Sequence, residues 1–205
     1  MSHQPQLATR GPATGARAVV LVLHGGRTAG EMPARRGVAW ARMVPFAWSI
    51  AHATRGRDVA VWSLRYRVRG WNEPAQDPVT DGRWALDEAR RLHPGAPIVL
   101  VGHSMGGRVA LRLAGEPDVA GVCALAPWLE PGEPARPVTA SVLIAHGDQD
   151  RVTDPVLSAA YAEQIGASFV PVPGEKHALL RRPVFWQRLV TGFVTTVLGA
   201  TTHAR

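Results

Sequence analysis

Ser104 lies in Gly102-His103-Ser104-Met105-Gly106-Gly107, directly after the apolar run Pro97-Ile98-Val99-Leu100-Val101 and before Arg108-Val109-Ala110-Leu111. A strand that turns at once into a helix strains the residue at the junction and lifts its side chain clear of both elements. Glycines two before and two after remove the Cβ atoms that would collide in so tight a turn. The hydroxyl stands exposed, and the helix N-terminus directs its positive end at any oxyanion formed beside it. A serine hydroxyl is a poor nucleophile at neutral pH and needs a base, commonly a histidine held by a carboxylate. Of the eight histidines, His177, in Pro173-Gly174-Glu175-Lys176-His177-Ala178 after the last strand, is the candidate base. His24, His103 and His146 sit in motifs near the same edge and read as packing residues. His3 and His203 lie near the termini, and His52 and His93 in or beside helices.

The carboxylate should come from Gly147-Asp148-Gln149-Asp150, between nucleophile and base in chain order. Asp154 precedes Pro155 and reads as a helix N-cap. Asp148, at the strand tip, could brace its own turn. Asp150 lies further along, where it can turn towards His177, and is preferred to Asp148.

These residues require a scaffold that gathers strand ends. Apolar β runs at 18–23, 59–64, 97–101, 119–125, 141–145 and 168–172 alternate with helical stretches at 45–54, 83–92, 155–165 and 183–198 and the one after Ser104. Such alternation predicts an α/β fold, a three-layer α/β/α sandwich on a mostly parallel sheet of about six strands. Pro171 puts the last strand at or near a sheet edge, Pro45 suits a first helical position, and Asp81 could cap the helix at 83–92. Every chemical candidate then falls at the C-terminal end of a strand, the edge where open parallel sheets bind ligands.

The 205 residues suffice for one core, expected at 17–199, between flexible segments at 1–16 and 200–205. No apolar stretch approaches a membrane span and no signal segment is visible, so a cytoplasmic location is expected. The single cysteine, Cys123, excludes an internal disulfide and a cysteine-based metal site, and reads as a buried thiol. The net charge of +7 comes from scattered arginines, with Lys176 the only lysine. No nucleic-acid module matches them, though an anionic substrate or surface could be attracted.

Taken together, His24-Gly25-Gly26, Gly102-His103-Ser104-Met105-Gly106, Gly147-Asp148-Gln149-Asp150-Arg151-Val152 and His177 resemble the α/β-hydrolase superfamily, in order and spacing, over nearly the whole chain. In that family the Gly-x-x-Asp-x-Val pattern carries the acid at its Asp, here Asp150. The resemblance also implies an oxyanion hole of two backbone amides, those of Met105 and Gly26, with Arg27 the alternative to Gly26. Many relatives insert a helical cap where only residues 127–140 stand here, so the fold is expected to lack a cap domain. The pocket should be shallow, roofed by residues 65–79, with Trp71, Trp128 and Met105 as apolar walls. The resulting expectation is a serine hydrolase acting on a small carboxylic ester through Ser104, His177 and Asp150, with no metal or organic cofactor. A thioesterase acting on an acyl carrier or coenzyme A thioester is the alternative, and a non-catalytic small-molecule-binding protein the weaker one. No nucleic-acid or membrane partner is expected.

Overall fold

The computed structural model describes residues 4–135 and 138–203. Among these, seven strands and five helices follow the chain in the order β1 (Gln6–Arg10), β2 (Ala18–Leu23), α1 (Val38–Ala53), β3 (Val59–Arg65), α2 (Asp77–Leu92), β4 (Ile98–His103), α3 (Met105–Arg112), β5 (Val119–Leu125), β6 (Ser141–Gly147), α4 (Pro155–Ile165), β7 (Ser168–Val172) and α5 (Pro183–His203). The strands form one sheet in the order β1-β3-β2-β4-β5-β6-β7, parallel except for β1.

The sheet's two faces explain the unbroken apolar runs. All six residues of β2 are buried, with Val19, Leu21 and Leu23 on one face and Ala18, Val20 and Val22 on the other. A strand covered on both sides has no position for a polar residue, so its pattern is continuous rather than alternating. The first face packs under α2, α3 and α4 through Leu86, Val109 and Ala162, and the second under α1 and α5 through Phe46, Ile50, Trp186 and Val194. Cys123 is fully buried on the second face, where burial pushes its thiol up to about 12.

β1 departs from the expected flexible N-terminal segment. Gln6–Arg10 pairs antiparallel with β3, and Gly11, at φ 88°, lets the chain leave the sheet. An added Cβ there would collide with the carbonyl of Val59. The strand is a half-exposed edge and carries no apolar run to announce it. At the other edge lies β7 with Pro171. Helix α5 extends through most of the expected C-terminal tail. Residues 1–3 and 204–205 of the two expected flexible segments lie outside the described residues.

Three local expectations are also corrected. Helix α1 begins at Val38, so Pro45 is interior and lies on the exposed face of the helix. Helix α2 begins at Asp77 rather than near Arg83. Asp81 is therefore not a cap. Its buried carboxylate accepts from the backbone N–H of Arg67 at 2.7 Å and from Arg67 Nε at 2.5 Å, tying α2 to the segment after β3.

Candidate active site

Ser104 occupies the turn between β4 and α3 at φ 57° and ψ −121°, a region that costs a non-glycine residue about 1–3 kcal/mol. The surroundings over-determine it. Its N–H donates to Leu125 O at 3.0 Å, and its carbonyl accepts from the N–H groups of Arg108 and Trp128, both at 3.1 Å. Gly102 and Gly106 are needed because a Cβ on the first would strike the Gly106 carbonyl, and on the second the carbonyls of Leu23 and His24. The Ser104 side chain does not cap α3; its Oγ lies 3.1 Å from His177 Nε2.

From His177 the chain of contacts continues to Asp150. His177 Nδ1 donates to Asp150 Oδ2 at 2.7 Å, which leaves Nε2 to accept from the Ser104 hydroxyl. The Asp150 side chain is inaccessible and His177 is partly exposed. Burial opposes ionisation of Asp150. It is outweighed by hydrogen bonds from His146, His177 and the N–H groups of Val152 and Thr153, which hold the carboxyl well below the usual carboxylate range. Asp148 is exposed and accepts from Gly174 N–H at 2.7 Å, bracing the turn that carries His177. Asp154 accepts from Val156 N–H at 2.8 Å as the N-cap of α4.

Further residues support this chain of contacts. Thr153 Oγ1 donates to Asp150 Oδ2 at 2.8 Å, and His146 Nε2 reaches the same oxygen at 3.1 Å while its Nδ1 faces Ser158 Oγ at 2.8 Å. His103 Nε2 donates to the carbonyl of His177 at 2.8 Å, and the two rings pack at 4.8 Å. Burial drives His103 down to about 3, so it stays neutral while positioning the loop. Glu175, almost fully buried, accepts from Trp186 Nε1, Lys176 N–H and Arg182 N–H, all at 3.0 Å, and pins that loop to α5.

On the other side of Ser104 stands His24-Gly25-Gly26. A Cβ on Gly25 would lie 3.3 Å from Ser104 Cβ, and one on Gly26 would collide with the Met105 side chain. The N–H of Arg27 is committed to Arg69 O at 2.9 Å, so Arg27 has no amide left for an oxyanion. His24 is buried and neutral, its pKa lowered to about 4 by burial.

Of the two tryptophans expected as pocket walls, Trp71 lies in the core and Trp128 is half-buried against it. Trp71 is fully buried, and its ring meets Trp128 edge-on at 5.9 Å. The Arg108 guanidinium lies over both, 4.2 Å from the centre of Trp71 and 4.5 Å from that of Trp128. Arg108 Nη2 pairs with Glu133 at 2.8 Å and Glu130 at 3.2 Å, and Arg112 pairs with Glu133 at 2.7 Å. The connection after β5 is thereby fastened flat against α3. Among its described residues there is no helix that could form a lid.

A nucleophile elbow on a mostly parallel sheet, with a histidine and carboxylate arriving from later strand ends, defines a class of fold, and sequence comparison agrees. The model of the alpha/beta hydrolase family matches residues 19–139, more than half of the chain, and the protein belongs to that family. No functionally curated protein matches the sequence. Similar solved structures include XC6422 from Xanthomonas campestris, described as an α/β serine hydrolase without a lid (20% identity, TM-score 0.71, covering 94% of this chain and 88% of that one). Est1E from Butyrivibrio proteoclasticus is 17% identical, with TM-score 0.68 and coverage of 95% and 94%. Thermogutta terrifontis esterase 2, solved phosphonylated by cyclosarin, is 19% identical, with TM-score 0.71 and coverage of 94% and 89%. Among the described residues no helix is long and apolar enough to cross a membrane.

Proposed function

We propose that this α/β hydrolase cleaves a carboxylic ester of a small acyl substrate through an acyl-enzyme on Ser104. The observation that carries the reading is the continuous relay from Ser104 Oγ through His177 Nε2 and Nδ1 to Asp150 Oδ2, at 3.1 and 2.7 Å. In the first step Ser104 Oγ bonds to the acyl carbon and its proton passes to His177 Nε2. Asp150 orients the imidazole and stabilises the imidazolium. The amides of Met105 and Gly26 receive the oxyanion, supported by the family resemblance and by the engagement of Arg27 elsewhere. Collapse of the tetrahedral intermediate breaks the ester C–O bond, and His177 returns the proton to the leaving alkoxide. Water, deprotonated by His177, then adds to the acyl-enzyme and releases the acid. The similar structures, among them Thermogutta terrifontis esterase 2 and Est1E with ferulic acid bound, support this reading.

The choice of acid is tested by turnover of p-nitrophenyl butyrate. Asp150→Asn should lower kcat by about a hundredfold or more, since an amide neither orients nor stabilises the imidazolium. Asp148→Asn should keep kcat within a few-fold of wild type. The reverse ranking would exchange their roles. A preference for butyryl thioesters over the oxygen ester, compared at equal leaving-group acidity, would turn the assignment towards a thioesterase.

A further inference from the structure

A cavity of about 370 Å3 opens on the Gly25–Gly26 side of Ser104, and it is cationic. Its lining includes Arg27, Arg35 and Arg69, together with Met32 and Trp40, and no aspartate or glutamate. Among the described residues no carboxylate comes within 4.0 Å of a nitrogen of these three arginines. Arg69 is half-buried and holds no carboxylate, unlike Arg67, Arg90, Arg108 and Arg112, which each hold one, while Arg27 and Arg35 are exposed. Arg69 Nε is buried with no hydrogen-bond partner, a donor withdrawn from water without compensation. The terminal guanidinium nitrogens of Arg69, which make no hydrogen bond among the described residues, are the ones open to a ligand anion in the cavity.

The wall is preorganised. Residues 27–34 and 67–72 run together as a backbone ladder, with Arg27 N–H on Arg69 O at 2.9 Å, Arg69 N–H on Met32 O at 3.0 Å and Gly70 N–H on Gly30 O at 3.0 Å. Asn72 Oδ1 accepts from Gly30 N–H at 2.8 Å and closes the same unit. Arg27 and Arg69 are therefore anchored at the backbone, and the ordering of the loop does not have to be met when a ligand binds.

The position of this cavity also determines which half of an ester it would face. His177 must protonate the leaving oxygen, so the alcohol half departs beside His177, and Ser104 lies between that ring and Gly25. An acyl half pointing away from His177 would pass Gly25 and Gly26, which line the cavity together with the three arginines. We propose that the cavity is an acyl subsite for a short chain ending in an anion, as in the half-ester of a small dicarboxylic acid. This inference rests on the esterase reading above. Carboxylate and phosphonate share the required chemistry, since both accept bidentate hydrogen bonds from guanidinium groups.

The test compares monoethyl succinate and ethyl 3-phosphonopropanoate with the neutral analogue ethyl succinamate, following ethanol release by wild type, Arg69→Gln, Arg35→Gln and Arg57→Gln. Arg57 is exposed and precedes β3, at the opposite end of the sheet from the site. One or both anionic esters should exceed the amide in kcat/KM by about tenfold or more, as expected for a charge-assisted contact. In Arg69→Gln and Arg35→Gln that ratio should fall towards one, and in Arg57→Gln it should persist. The preferred ester identifies the anion. Equal rates for anionic and neutral esters, or an equal loss of the ratio in Arg57→Gln, would overturn the subsite and leave the esterase reading intact. Calorimetric binding of monoethyl succinate to Ser104→Ala reads the subsite without turnover. If no ester is hydrolysed but this binding is present and is lost in Ser104→Ala/Arg69→Gln, the subsite stands and the esterase reading falls; absence of binding overturns the subsite.

Discussion

Acidification from pH 7.5 to 5.5 should destabilise the fold through two histidines that it keeps neutral. His103 and His24 are buried, and burial lowers them to about 3 and about 4 from the ordinary 6.5. Burial outweighs the groups that would favour a cation, the Gly25 carbonyl beside His24 and the Asp150 charge near His103. His103 faces the His177 ring and carbonyl and feels Arg42, whereas His24 packs on Tyr66 and feels Arg65. In the unfolded chain both bind a proton below about pH 6.5, and in the folded protein neither does until about pH 4. The unfolded state thus binds more protons across this window, so stability is complete above 6.5 and falls as the pH drops. Each group contributes a loss of about 1.4 kcal/mol at pH 5.5, and the pair loses about 2.7 kcal/mol relative to pH 7.5. His93, also lowered by burial, adds in the same direction. Asp150 and Glu175 are depressed carboxylates and titrate below the window in both states, so they contribute nothing there. Urea denaturation at the two pH values measures the difference. Replacing His103 by glutamine should remove about half of the two-histidine contribution. An unchanged pH dependence in both His103→Gln and His24→Gln would refute the assignment of buried neutral imidazoles.

Arg108→Met should destabilise the protein by about 2 kcal/mol in chemical denaturation, because it leaves the buried Glu133 carboxylate with Arg112 alone and removes the guanidinium stacked on two tryptophans. Glu175→Gln should cost about 2–3 kcal/mol, since an amide replaces a buried carboxylate that collects four donors; a change below half a kilocalorie would deny it that role. Because the described residues of the connection after β5 are pinned against α3 and hold no helix that could form a lid, kcat/KM on neutral p-nitrophenyl esters should peak between acetyl and butyryl, without a jump above the micellar concentration. A steady rise through dodecanoyl would require a covered acyl channel.

The core of the fold was legible because β2 to β6 are covered on both faces and thus leave continuous apolar runs. β1 was not, since an antiparallel edge strand gains its hydrogen bonds from Arg65 and its neighbours rather than from burial, and Gln-Leu-Ala-Thr-Arg carries no periodic signal. Ser104 was readable from the glycines its turn requires, and His177 from its place after the last strand. Choosing between Asp148 and Asp150 depended on two residues of turn geometry: one carboxylate faces Gly174 N–H and the other His177. His146 and Thr153 were not identified as supports of Asp150. Their convergence depends on the turn after β6 folding back on the strand, although the four-residue spacing of His146 and Asp150 was there to be read. Trp71 was misplaced because the long segment after β3, rich in Arg, Gly and Pro, reads as an open loop, whereas Asp81 and the ladder to residues 27–34 fold it into the core.

Covalent labelling reads out whether a single serine is activated by the His177–Asp150 pair. A fluorophosphonate should add once to the wild-type protein, on the peptide containing Ser104, at a rate that falls by orders of magnitude in His177→Ala and to zero in Ser104→Ala. Both variants should keep the wild-type circular dichroism spectrum. Labelling of Ser104→Ala at the wild-type rate, or of wild type at any other serine, would contradict the account.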